Sequence, residues 1–340
     1  MLEFPKLLRA TKPPDTSYYL AYAPPTHHAL TVTSNVQQRH VKSQFGRRPA
    51  PRCAVTRAAK AAGLTTFTIQ HGFENIGLTY ADDRYGLEVS FASEHIFIWG
   101  PASGLPAWVS PQTRRRVISV GLTKPVPQPE SLVLPSASNW ARTIGIFENL
   151  HWERFSPRYR DGFSDQLAEI VRQFPDVLFV VKPHHAGRWL IDNPDFVPAA
   201  ANLLLIDPRD PAWQRHTAPA LLPALDAAIT TPSTVAIDAA KAGRPVAVVA
   251  NDLALPIYEP LPLLRRTDDW RRFLDGLAQP ETWLHANEVF LRRNFLAGPG
   301  ERRIAQLLRR LAKRGKEAPD CVADPCHAPQ PNPEPTQPEA

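Results

Sequence analysis

Residues 230–249 read Thr-Thr-Pro-Ser-Thr-Val-Ala-Ile-Asp-Ala-Ala-Lys-Ala-Gly-Arg-Pro-Val-Ala-Val-Val. Hydroxyl residues lead into an Ala-rich stretch, and a glycine and a proline precede a second apolar run. The pattern predicts a strand ending at Thr230, a helix opened by Ser233 or Thr234 and stopped at Gly243, and a strand entered through Pro245. The open amides of such a helix start, with the hydroxyls of Thr231, Ser233 and Thr234, suit a phosphate. Ser233 as no more than an N-cap fits the same residues.

Two other segments bring reactive side chains to the end of an apolar run. Val177-Leu-Phe-Val-Val-Lys-Pro-His-His185 predicts a strand that delivers Lys182, His184 and His185 to its C-terminal edge, where open parallel sheets hold ligands. Lys182 and His184 could donate charge and hydrogen bonds to a diphosphate or a departing phosphate. A metal is disfavoured, because adjacent histidines at a strand end point in different directions and no carboxylate cluster accompanies them. Thr68-Ile-Gln-His-Gly-Phe-Glu-Asn75 repeats the logic: a strand, then Gln70 and His71, with Gly72 permitting a tight turn. His71 and Glu74 would project from that junction, a position suited to acid/base or acceptor-binding work. A histidine satisfied by neighbouring backbone is the competing explanation of the same tripeptide.

These segments need a scaffold, and the flanking pattern supplies one. Strands are predicted over 29–33, 65–69, 95–99 and 117–120, with a helix over 55–62. Further strands are predicted over 143–147, 177–181, 202–206, 227–230 and 246–249. Helices are predicted over 159–174, 233–242, 267–277 and 304–313. Short strands alternating with helices imply parallel sheets with crossover connections. The expected organisation is an irregular lead-in over 1–28, an N-terminal Rossmann-like domain over 29–125 and a Pro/Ser-containing linker over 126–140. A C-terminal Rossmann-like domain over 141–315 and a disordered Pro-rich tail over 316–340 complete it.

Composition bounds the class. The 340 residues are 43% hydrophobic and 21% charged, which is globular, and their number suits two cores. A net charge of +6 favours anionic ligands. Basic residues are not interleaved with aromatics as a nucleic-acid platform requires, so no nucleic-acid partner is expected. Cys53, Cys321 and Cys326 are too few and too scattered for a disulfide framework or a zinc site. No apolar run is long enough to span a bilayer and the start does not read as a signal peptide, so a cytoplasmic location is expected. The segment 301–314 has Ile304, Leu307, Leu308 and Leu311 on one face and basic residues on the other. It is read as a closing helix of its domain, with rest on an acidic membrane surface as the alternative.

In order and spacing, Gln70-His71-Gly72, Lys182-Pro-His184 and Thr231-Pro-Ser-Thr234 resemble the motifs of the GT-B glycosyltransferase superfamily. More narrowly, the chain is similar to bacterial surface and capsular polysaccharide transferases. These include CDP-glycerol glycerophosphotransferases and transferases that use CMP-activated acidic sugars such as Kdo or sialic acid. The resemblance covers about residues 55 to 250. It implies an α/β GT-B-like fold of two Rossmann-like domains facing a cleft, the N-terminal one short for this fold.

It also implies that Lys182, His184, Thr231, Ser233 and Thr234 contact the donor phosphates. Gln70, Gly72, His185 and Asp238 would line the cleft, and His71, Glu74 and His184 would serve catalysis. His185 stands where these families carry proline. The implied activity is metal-independent transfer from a nucleotide-activated donor, CMP- or CDP-linked, to a saccharide or lipid-linked acceptor, with no cofactor. Such an acceptor implies peripheral contact with the inner face of the cytoplasmic membrane. The alternatives are a CDP-glycerol glycerophosphotransferase-like enzyme, a sugar-nucleotide epimerase, and a GT-B-like protein that binds a nucleotide or a partner without turnover.

Overall fold

The structure is a computed structural model and describes residues 19–22, 30–34, 51–75, 78–79, 91–124, 134, 139–184, 187–214 and 216–317. The first half contains β1 (Tyr19–Tyr22), β2 (Leu30–Ser34), α1 (Pro51–Ala61), β3 (Thr66–Ile69), β4 (His95–Ile98), α2 (Pro111–Arg114) and β5 (Val117–Ser119). Its sheet has the order β1-β2-β3-β4-β5, parallel except for β1, which runs antiparallel to β2. The expected irregular lead-in therefore supplies an edge strand. Four residues flanked by proline pairs carry too little periodicity to announce it. The other lead-in residues, the tail beyond 317 and most of the expected linker, residues 126–133 and 135–138, lie outside the described residues.

The second half begins with β6 (Arg142–Glu148), α3 (Pro157–Gln173), β7 (Val177–Pro183), α4 (Trp189–Asp192) and β8 (Leu203–Leu205). It continues with α5 (Ala218–Leu221), β9 (Ala227–Thr230), α6 (Val235–Lys241), β10 (Val246–Val249) and β11 (Leu263–Leu264). The helices α7 (Thr267–Asp275), α8 (Glu281–Asn294) and α9 (Gly300–Glu317) follow. All six strands are parallel, in the order β11-β10-β9-β6-β7-β8. Every residue of β7 is buried, as befits a strand covered on both faces.

One face of this sheet packs Ile144, Ile146, Phe179 and Val181 against α3 residues Tyr159, Phe163, Leu167 and Ile170. The spacing of those four, with Ser156 accepting from the Tyr159 amide at 3.1 Å and Pro157 opening the first turn, is what makes α3 an amphipathic helix. The other face packs Phe147, Leu178, Val180 and Ala228 against α6. The helix α8 was not foreseen, since Asn287 and Phe290 are its only buried residues and leave little apolar period to read.

The last helix crosses back to the first half. Ile304, with Leu307, Leu308 and Leu311, packs on Phe67, Phe97 and Val120 of the first sheet. The crossing is fixed by Gly300 N–H donating to Leu122 O at 2.8 Å and by Arg303 donating to Val120 O at 2.9 Å. Gly121 adopts φ 89° there, and the Arg303 guanidinium, 2.8 Å from where a Cβ would stand, leaves little room for a side chain. The closing helix therefore covers the first core rather than the second. Its apolar stripe faces the sheet, so a membrane surface would meet only its polar side. Among the described residues no helix is long and apolar enough to cross a membrane.

Candidate functional site

From β6 the chain winds outward through β7 and β8, then returns to β9 on the opposite side of β6. This is the order of a dinucleotide-binding sheet, and its ligand crevice lies beyond the C-terminal ends of the two strands where winding reverses. Those ends carry Glu148 and Asn149 after β6, and Thr230 to Thr234 after β9. They are tied together by side chains. Asn149 N–H donates to Thr231 Oγ1 at 3.1 Å, the Thr231 hydroxyl donates to Asn149 Oδ1 at 2.5 Å, and Asn149 Nδ2 donates to Pro232 O at 3.2 Å. Ser233 Oγ accepts from Val235 N–H at 3.1 Å and lies 2.9 Å from Thr230 Oγ1. The helix starts at Val235 with Thr234 as a cap that makes no side-chain cap bond, so the hydroxyl that holds its first turn is that of Ser233.

Lys182 stands at the end of β7, in register with Phe147, which is in register with Thr230. Register neighbours share a face, so Lys182 and Thr230 flank Phe147 on the α6 side. Lys182 is only 8% exposed, and among the described residues no carboxylate or other acceptor is paired with its ammonium. Burial pushes its pKa down. Burial thus disfavours the charged form of this side chain, and an anionic ligand would offset that.

His184 N–H donates to Glu148 O at 2.8 Å, joining the β7 and β6 ends. The His184 ring stacks on His151 at 5.2 Å and 24°. His151 in turn fills the space where Gly187 would carry a Cβ, so only glycine fits at 187. On the α3 side of the sheet, Glu148 is 3% exposed, with Oε2 accepting from Leu150 N–H at 2.5 Å. Burial raises its pKa to about 7, against the lowering influence of the Leu150 and Leu190 amides and of Arg160. Glu148, Asn149 and His151 escaped the sequence reading. The available signal was polar residues directly after a buried strand, the same one that singled out Lys182.

The first half reaches this edge through the loop after β3. Gln70 is buried and works as a clamp: its Nε2 donates to Gly72 O at 3.0 Å, and its Oε1 accepts from Trp99 N–H at 2.9 Å. His71 is exposed on the turn so formed. Phe73 is inserted into the second half, with ring centroids 5.1 Å from Tyr258, 5.3 Å from Phe290 and 5.4 Å from Phe295. Tyr258 in turn donates to Ser233 O at 3.5 Å. Both Glu74 oxygens accept from Arg154, at 2.7 and 3.1 Å, in a forked ion pair between the halves. Asp238 is similarly engaged, 2.5 Å from Lys124 Nζ, and its pKa is raised by burial with Lys124 opposing.

The residues read from sequence thus divide. Lys182, His184, Thr231, Ser233 and Thr234 gather at one sheet edge, and the Gln70-His71-Gly72 turn docks beside it through Phe73 and Glu74. Glu74 and Asp238 join the two halves, and His185 lies outside the described residues. Among the described residues no three His, Cys, Asp or Glu side chains are grouped to hold a metal ion.

No family model matches the chain, and no curated protein does. Among solved structures, it is similar to S. aureus MnaA in complex with UDP, at 12% identity and TM-score 0.53 over 77% of this chain and 73% of that one. It is also similar to the UDP-GlcNAc 2-epimerase of Neisseria meningitidis bound to UDP-GlcNAc, at 16% identity and TM-score 0.51 over 76% and 73%. The likeness to the wall teichoic acid polymerase TagF is weaker, at 14% identity and TM-score 0.44 over 74% and 68%. With two Rossmann-like sheets and the likeness to MnaA and the N. meningitidis epimerase, the fold is of the GT-B type.

Proposed function

We propose that the chain is a glycosyltransferase of bacterial surface polysaccharide synthesis, moving a sugar from a nucleotide-activated donor to a saccharide or lipid-linked acceptor without a metal. The observation that carries this reading is Lys182, an 8% exposed residue whose ammonium has no partner among the described residues, at the ligand edge of a nucleotide-type sheet. The donor phosphates would meet Lys182, His184 and the hydroxyls of Ser233 and Thr234. These fixed donors oppose the charge that develops on the leaving phosphate, which is the part a metal plays elsewhere. The acceptor would approach from the first half. Its hydroxyl oxygen bonds to the anomeric carbon, the bond from that carbon to the phosphate oxygen breaks with its electron pair, and His71 takes the hydroxyl proton. Glu74, tied to Arg154, would position the turn that carries His71. UDP on S. aureus MnaA and UDP-GlcNAc on the N. meningitidis enzyme support a nucleotide ligand here.

The same neighbours favour a second reading, in which the nucleotide sugar is itself the substrate and is epimerised. Incubation with UDP-, CDP- and CMP-activated sugars and with CDP-glycerol separates the readings. Transfer predicts nucleotide release that rises with added saccharide acceptor and falls at least tenfold in His184→Ala. Conversion of the sugar with no acceptor dependence would favour the epimerase. Release from CDP-glycerol alone would favour a glycerophosphotransferase, and no turnover of any donor would leave a binding protein.

A further inference from the structure

Trp152 is the exposed large hydrophobic side chain among the described residues, at 48% exposure. It lies on the loop between β6 and α3, at the ligand edge of the second sheet. Its backbone is held: Trp152 N–H donates to Asn149 O at 3.1 Å, and Arg160 donates to Trp152 O at 3.2 Å. Its ring lies 5.3 Å from His151, which stacks on His184, so the indole is the outer member of an aromatic row ending at the Lys182-Pro-His184 turn. The middle member is braced, since His151 occupies the space beside Gly187. Two residues beyond Trp152, Arg154 grips Glu74, which ties this loop to the one carrying His71.

We propose that Trp152 is the platform of a pyranose-binding subsite for the acceptor, a role that rests on the transferase reading above. A half-exposed indole keeps one face for a ligand, and that face is electron-rich. The C–H-bearing face of a pyranose is apolar and weakly positive, so it covers the ring while its hydroxyls stay at the rim. A nucleobase would also stack, but the same loop grips Glu74 through Arg154, which joins it to the loop carrying His71 on the acceptor side.

Saturation-transfer NMR on the full chain tests this, with methyl β-D-glucopyranoside, methyl β-D-galactopyranoside and N-acetylglucosamine as probes and cytidine and uridine as comparators. The expected result is transfer to the ring C–H protons of at least one pyranoside, reduced at least fivefold in Trp152→Ala and largely kept in Trp152→Phe. Thermal stabilisation by UDP or CDP should be unchanged in both variants. Undiminished pyranoside transfer in Trp152→Ala, or no transfer to any pyranoside, would overturn the subsite. So would loss of nucleotide stabilisation with Trp152→Ala, which would make the indole a base platform. If no nucleotide stabilises the wild type, the donor reading fails, while the pyranoside result still decides whether the indole binds sugars.

Discussion

Glu148 and Lys182 stand near the ends of neighbouring strands, and burial works against the charged form of each. For Glu148 the ordinary value of 4.5 rises to about 7, so the folded chain holds its proton over a range where the unfolded chain has lost it. The stability that Glu148 contributes is therefore fullest below pH 4.5 and declines as pH climbs toward 7. At about 1.4 kcal/mol per pH unit, the decline amounts to at most about 3.5 kcal/mol. Glu148→Gln keeps an acceptor for Leu150 N–H and removes the titration. Urea unfolding from pH 4.5 to 8 should show a slope for the wild type that the variant lacks, and equal slopes would refute the assignment. At this scale the sequence was partly legible. Lys182, Thr231 and Ser233 stand out because hydroxyls and a cation follow β-branched runs. Glu148 and His151 did not, because their importance comes from β6 being the central strand, and strand order is set by long-range packing that local pattern does not encode.

Among the elements, the strands were the more legible, since β9 and β10 match the expected ranges and β6 and β7 extend them by a residue or two. Their both-faces-buried composition leaves little ambiguity. The closing helix shows the opposite limit. Its apolar stripe is plain in the sequence, yet a stripe does not say which surface it covers, and α9 covers the first sheet. Ile304→Ala should cost about 2 kcal/mol, the usual penalty for truncating a buried aliphatic side chain. Hydrogen exchange locates that cost: amides of β3, β4 and β5 should exchange faster while those of β6 to β10 are unchanged. Faster exchange confined to the second sheet would contradict this placement.

Across the whole molecule, the two halves meet through Phe73 among Tyr258, Phe290 and Phe295, the Glu74–Arg154 and Lys124–Asp238 ion pairs, and the α9 crossing. Motifs 112 residues apart in sequence, at Gln70 and Lys182, are thereby presented to one region. The pairing of the motifs was legible as a resemblance, whereas the aromatic plug and the forked ion pair that dock them were not, because each needs both halves in place. The central claim is that the second half binds a nucleotide through the ammonium of Lys182. Thermal unfolding of the wild type and Lys182→Met with CMP, CDP, UDP and GDP tests it most directly. Without ligand the variant should melt at or above the wild-type temperature, because a charge that burial disfavours is gone. At least one nucleotide should raise the wild-type melting temperature, with little or no effect on the variant. Equal nucleotide stabilisation of both proteins, or none of the wild type, would contradict the account.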